Sequence, residues 1–213
     1  MKHSIAALLL IFVAMPFLAA CSEDDNTEQE YANWQQKNDS YWNELYSTTQ
    51  QRVAAGDNSW RILRTWSKND GASLKSTDYI IAHVEQEGQG TLSPLYTDTV
   101  RVHYAGRLIP SPSYAEGYQF DQSFTGTLDT RTAMPYKSAA SSFVDGFATA
   151  VTNMHVGDRW TVYIPYTLGY GATGSGTSIP AYSVLIFDIS LAAFYHPGAT
   201  VPDWNAKQAI WEQ

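Results

Sequence analysis

An α+β domain, built mainly of strands with one short helix covering a sheet face, is predicted by three observations. Apolar and polar residues alternate over several separate stretches between Tyr79 and Phe194. Within that region only Ser142–Met154 has convincing helical spacing. Strands and helices do not take turns along the chain, which argues against a parallel sheet built from strand–helix–strand units.

The strand segments follow in order. Tyr79–Gln86 alternates, with Ile80, Ala82 and Val84 on one side and Tyr79, Ile81 and His83 on the other. Glu87–Gly90 reads as a turn. Thr99–Leu108 alternates again and puts Val100, Val102 and Tyr104 on one face. Ile109–Gly117 holds two prolines and no periodicity, so it is a loop. Phe120–Ser123 resumes extended structure. In the helix, Phe143, Phe147, Ala150, Val151 and Met154 form the apolar face, and Val156-Gly157-Asp158 turns the chain out of it. Arg159–Pro165 and Tyr182–Phe194 are strands, separated by the glycine-rich loop Gly169–Gly176.

Ahead of this domain lie three further segments. Residues 1–20 have Lys2 and His3, an apolar run Ile5–Met15, and small residues before Cys21. The run is shorter than the ~20 residues a spanning helix needs, so it reads as a signal peptide. The box Leu18-Ala19-Ala20-Cys21 resembles a bacterial lipoprotein signal, which implies a lipidated Cys21 and a place in the cell envelope, at the outer membrane. Residues 21–77 form a tether and a helical extension. Ser22–Glu30 is acidic and solvated. Tyr31–Ala55 has helical spacing, with Trp34, Tyr41, Trp42, Leu45, Tyr46 and Val53 sharing a broad stripe, and Gly56-Asp57 ends it. That helix either packs on the domain, spaces it from a membrane, or binds a partner or second copy; the sequence leaves the oligomeric state open. Trp60–Asp70 is ambiguous between helix and strand. The domain proper is expected over residues 78–195, and 196–213 form a C-terminal extension docked through Trp204 and Trp211.

Composition removes several functions. In 213 residues the formal net charge is −8, whereas nucleic-acid binding needs a basic surface. Cys21 is the one cysteine, so neither an internal disulfide nor a thiolate metal cluster is expected. The five histidines are scattered without an i,i+4 pair, so no metal site and no cofactor is expected. The glycine-rich loop lacks the Lys-Ser or Lys-Thr ending of a phosphate loop. Ser175 and Ser178 have no plausible His–Asp partners for hydrolysis.

What remains is an ordered set of motifs: VRVHYAG (Val100–Gly106), YQFDQS (Tyr118–Ser123), FVDGF (Phe143–Phe147), MHVGDRWTVYIP (Met154–Pro165), GYGATG (Gly169–Gly174), Ile179-Pro180 and VLIFDISL (Val184–Leu191). Together these resemble the FKBP family of peptidyl-prolyl cis-trans isomerases over Tyr79–Phe194. The resemblance implies a curled antiparallel β-sheet wrapped around one short α-helix. It implies a proline pocket between them and X–Pro isomerisation, with folding-chaperone action; the lipoprotein box makes extracytoplasmic polypeptides the expected substrates.

The resemblance also implies site residues. Tyr104 matches a wall tyrosine, Phe120 and Asp121 an aromatic wall with a carboxylate, and Val144 a backbone N–H donor. Phe147 stands where many members carry a tryptophan floor. Tyr170 matches a hydroxyl that binds a ligand carbonyl, Ile179 an apolar loop residue, and Phe187 the last aromatic wall. Tyr136 is a looser match. Taken alone, Tyr104, Phe147 and Phe187 would also suit an ordinary core, and Asp121 would suit a turn cap. Three departures stand out: Phe147 for tryptophan, the inserted Pro110–Glu116, and the unmatched Phe124–Met134. Two other functions fit the sequence. Phe147 leaves room for a non-catalytic proline-peptide-binding module. Trp34, Trp42, Trp60, Trp66, Trp204 and Trp211 leave room for a carbohydrate-binding surface lipoprotein.

Overall fold

The computed structural model describes residues 30–69, 71 and 73–204. The expected signal segment, Cys21, most of the expected acidic tether and Trp211 lie outside the described residues. The elements are α1 (Trp34–Ala54), β1 (Trp60–Arg64), β2 (Tyr79–Gln86), β3 (Thr99–Arg107), β4 (Gln119–Gln122), β5 (Tyr136–Ala139), α2 (Asp145–Val151), β6 (Arg159–Ile164) and β7 (Leu185–Tyr195). The fold is α+β, as the alternation predicts.

The seven strands form one antiparallel sheet in the order β1-β2-β6-β7-β3-β4, with β5 also on β3. β3 is therefore forked along one edge. Its first half, Thr99–Val102, pairs with β5, and its second half, Ala105–Arg107, pairs with β4. Tyr104 stands at the fork. Its N–H donates to Ser123 Oγ at 2.9 Å and its carbonyl accepts from Ser123 N–H at 2.9 Å, which closes the gap between the two short strands.

The ambiguous stretch after Gly56 resolves into a strand: β1 pairs residue for residue with β2, from Trp60↔His83 to Arg64↔Tyr79. It lies ahead of Asp78 and belongs to the same sheet. A five-residue segment leaves periodicity no length over which to show itself.

Both faces of the sheet are covered, which explains why Ile80, Ile81 and Ala82 are all fully buried although they alternate in direction. Register puts Ile80, Ala82, Trp160, Val162, Ile189 and Leu191 on the face under α2. The helix is shorter than its spacing suggests. Ala140–Ser142 is a 3₁₀ turn, Phe143 and Val144 are extended, and only Asp145–Val151 is α-helical. Phe143 thus stands before the helix and reaches Phe147 by stacking on it.

α1 covers part of the other face. Tyr46 lies 6.0 Å from Tyr79, and the Arg52 guanidinium sits 5.3 Å from the Trp60 ring. Of the expected stripe, Trp34 and Trp42 are buried and Tyr41, Leu45 and Tyr46 pack against the core, but Val53 is exposed. The buried line runs instead through Asn38 and Thr49, two polar residues that a hydrophobicity count passes over. The helix ends as Gly56 predicts. With φ at 85°, Gly56 gives its N–H to Val53 O, and Asp57 N–H reaches Arg52 O, so two end carbonyls are satisfied. Of the C-terminal segment, residues up to 204 are described. It is held by His196 Nδ1 against Asp98 Oδ1 at 2.9 Å and by Arg101 donating to the Pro202 carbonyl.

Burial on α1 sets the expected mutational costs. Trp42→Ala should destabilise the protein by about 3–5 kcal/mol, whereas Val53→Ala at an exposed position should stay within about 0.5 kcal/mol. Urea unfolding of the two variants checks this; equal losses would mean that α1 is not packed as described.

Candidate active site

The expected site residues come from five places in the chain. Tyr104 is on β3, Phe120 and Asp121 on β4, Phe147 on α2, and Phe187 on β7. Val144 immediately precedes α2, while Tyr170 and Ile179 lie in the loop between β6 and β7.

The fold brings the rings together. The Phe147 ring stands edge-on to Phe187 at 5.1 Å and to Tyr104 at 5.8 Å. Phe187 in turn meets Phe120 at 5.5 Å and Tyr104 at 6.1 Å. Edge-to-face contacts of this kind fix ring orientation beyond simple burial. Phe147, Phe187 and Ile179 are buried; Tyr104, Phe120 and Val144 are half-buried, and Tyr170 is 37% exposed. The buried rings therefore form a floor, and the half-exposed residues form its rim.

Gly106 makes the floor possible. In register it lies between Phe187 on β7 and Asp121 on β4. A Cβ there would stand 2.5 Å from Phe187 Cε1 and 2.7 Å from two atoms of Phe120. The glycine of the HYAG motif thus vacates the volume in which two walls meet. Gly174 does similar work in the loop. Its φ is 70°, and a Cβ would come within 2.1 Å of the Ile179 carbonyl, so a side chain would push Ile179 away.

Asp121 is more than a turn cap. Its Oδ2 accepts a 2.8 Å hydrogen bond from the Tyr104 hydroxyl while Oδ1 accepts from Gln122 N–H. Burial, then this bond, raise the Tyr104 pKa well above the usual phenol range. Tyr170 is also raised, by burial first and then by the Asp121 charge. Both phenols accordingly stay protonated at neutral pH and can act as donors.

Two aromatic residues extend the set. Tyr136, at the start of β5, is edge-on to Tyr104 at 5.9 Å, so the looser match falls beside the site. Phe143, singled out by sequence only for its apolar face, stacks on Phe147 at 4.3 Å with 23° between planes, and lies 6.2 Å from Tyr136. The phenyl at 147 is smaller than an indole, and Phe143 places a second ring against it. Phe143 directly precedes Val144 in the FVDGF motif, and that adjacency was the one available signal.

Among the described residues, Trp34, Trp42, Trp60 and Trp66 do not stand together as one exposed platform. Trp34 and Trp42 are core residues, and Trp60 packs on His83 at 4.6 Å. Trp66 stacks on Tyr96 at 3.8 Å and remains partly exposed.

With this geometry, the chain belongs to the FKBP-type peptidyl-prolyl cis-trans isomerase family. The model of this family, described as FKBP-type peptidyl-prolyl cis-trans isomerase, matches residues 90–192. FK506-binding protein 2 of Candida glabrata is 32% identical over 130 residues, covering 61% of this chain and 85% of that protein. The FKBP-type 22 kDa peptidyl-prolyl cis-trans isomerase of Escherichia coli is 37% identical over 108 residues, covering 51% of this chain and 46% of that protein. Among solved structures, FkpA from Escherichia coli superposes with a TM-score of 0.51 at 25% identity, covering 79% of this chain and 62% of that one. The chain spans about half the length of the first curated relatives it matches.

A different cleft, of about 800 Å³, opens on the opposite face of the sheet beneath residues 124–131. His103, Ser190, Arg159 and Gln86 line it, with the Arg159–Asp188 ion pair at its side. No expected site residue borders it. His103 is buried, neither ring nitrogen has a hydrogen-bond partner among the described residues, and burial lowers its pKa.

The His103 shift implies a pH dependence with a definite sign. Below the ordinary histidine pKa of about 6.5 the unfolded chain takes up a proton that the folded chain resists, so stability falls as pH drops. The loss begins near that value and continues down to the lowered folded pKa. Urea midpoints at pH 7, 6 and 5 should decline for the native protein and less steeply for His103→Phe; parallel declines would remove the assignment.

Proposed function

We propose that this FKBP domain catalyses cis-trans isomerisation of X–Pro bonds in proteins outside the cytoplasm, held at a membrane by lipid on Cys21. The observation that carries the catalytic reading is the convergence of Tyr104, Phe120, Phe147 and Phe187, with Asp121 and Tyr170 at the rim.

The chemistry asked of such a site is small. Resonance in the amide raises a barrier of about 18–20 kcal/mol. For X–Pro the two isomers differ by only ~1 kcal/mol yet exchange over tens to hundreds of seconds. The planar amide is the more charge-separated form, so a site that strips water from it weakens that form relative to the twisted one. The rings supply this environment. The Tyr170 hydroxyl can donate to a substrate carbonyl. The helix gives the N–H of Val144 no partner of its own, since the residue precedes the first turn, and it can hold the backbone alongside. Ile179 can offer an apolar surface to the pyrrolidine ring. Asp121 anchors Tyr104 and orients the wall. Lowering the barrier by about 5 kcal/mol speeds exchange more than a thousandfold. No bond to the substrate is made or broken.

The envelope location rests on Leu18-Ala19-Ala20-Cys21 and the acidic run after it. Several acyl chains, at about 0.8 kcal/mol per buried methylene, would make the anchor stable. Clients would then be extracytoplasmic chains with exposed prolines.

The catalytic reading is tested with a protease-coupled proline-tetrapeptide assay. Phe187→Ala and Asp121→Leu should each lower kcat/KM by about tenfold or more, and Tyr170→Phe by about threefold, which corresponds to ~0.7–1.4 kcal/mol or more of barrier. Wild-type peptide binding without acceleration would instead identify a non-catalytic binding module. The anchor is tested separately by labelling cells with a radioactive fatty acid. Label should enter the native protein and be lost in Cys21→Ala; an unlabelled native protein would sink the lipid assignment.

A further inference from the structure

We propose that α1 supports the isomerase site from outside: Trp34 and Asn38 are positioning residues that hold the loop bearing Tyr170 and Ile179. The proposal rests on the pocket described above and adds a helix outside its walls.

The loop between β6 and β7 leaves the sheet after Ile164 and returns at Leu185. α1 grips it just before it returns. Trp34 Nε1 donates to Ser183 Oγ at 2.8 Å, and Ser183 Oγ donates to the Pro180 carbonyl at 2.7 Å. Pro180 directly follows Ile179, so a three-member relay runs from the helix to the residue beside the pocket wall. A second tie lies one turn further along. Val184 N–H donates to Asn38 Oδ1 at 2.7 Å, while Asn38 Nδ2 donates to the Trp34 carbonyl at 2.7 Å. That last bond turns the amide so that its oxygen faces Val184. Trp34, Asn38, Ser183 and Val184 are all buried. Hydrogen bonds in such surroundings are costly to leave unmade.

Between the loop and its grip sits a strained residue. Tyr182 has φ at 61°, a left-handed conformation that a non-glycine residue adopts only when its surroundings impose it. Its N–H donates to Gly171 O at 2.9 Å, next to Tyr170, and its ring meets Tyr166 at 5.2 Å. Ser183 and Val184 follow it immediately, and both are bound to α1. The helix therefore supplies the constraint that keeps Tyr182 in place. Tyr182 in turn closes the loop on which Tyr170 and Ile179 are mounted. Displacement of these groups by a fraction of an ångström weakens contact with the proline ring and carbonyl.

The test uses the full chain with Trp34→Phe, Ser183→Ala, the double variant and Trp42→Phe. Trp42 is on the same helix, but its indole nitrogen has no hydrogen-bond partner among the described residues, so its replacement is the packing control. Loss of folded protein lowers apparent kcat and leaves KM unchanged, whereas a displaced loop raises KM. Trp34→Phe and Ser183→Ala should each raise KM about three- to tenfold, and the double variant no further, because both remove one relay. Amide exchange over residues 170–184 should quicken in the same variants, and Trp42→Phe should change neither. Native KM and native loop exchange in Trp34→Phe would overturn the proposal, as would equal effects in Trp42→Phe. If Trp34→Phe is silent while Phe187→Ala loses turnover, the relay fails and the pocket stands. If Phe187→Ala is itself silent, the pocket reading fails first.

Discussion

The close approach of Phe187 and Phe120 over Gly106 is the contact on which the rest of the site depends. Two rings from strands on either side of β3 share the space that any other side chain would fill. Once they meet, Phe147 closes the floor from α2 and Tyr104 closes one side. Removing the vacancy at residue 106 would separate the walls before any ligand arrived. The site is thus a packing solution first and a binding surface second.

The forked edge of β3 explains why this solution has an opening. A single continuous neighbour would have run past Tyr104 and covered it. Instead β5 and β4 each take half of the strand, and Ser123 satisfies the backbone at the gap. Tyr104 can then direct its hydroxyl to Asp121 while its ring joins the floor. The same sheet carries a load on each face. α2 brings Phe147 to one, and α1 covers part of the other and fastens the loop that supplies the rim. Pocket and scaffold therefore share residues.

Phe147 illustrates how a local departure is absorbed. A phenyl ring is smaller than the indole that many members carry, yet Phe143 stacks on it and Tyr136 stands against Phe143. The floor is built from two stacked rings. Because Phe143 precedes the helix in an extended conformation, its ring reaches Phe147 from a direction that helical spacing would not have given it.

Alternation and helical spacing in the amino-acid sequence by themselves determined the α+β plan and the long helix ahead of the domain, and the family motifs pointed to Tyr104, Phe120, Phe147 and Phe187, whose rings meet. Strand alternation and the HYAG, FDQS, VDGF and YGATG motifs are local patterns, and local patterns survive in one dimension. β1 escaped because five residues are too few to display a period. Val53 fell outside the buried stripe of α1 while Asn38 and Thr49 fell inside it, because the helix packs by the shape of its face and by hydrogen bonds as well as by hydrophobicity. The stacking of Phe143, the fork at Tyr104 and the grip of Trp34 on Ser183 were decided only by tertiary structure. Each joins residues far apart in the chain or turns a side chain against its local period, and no pattern in the sequence encodes a distance across the sheet.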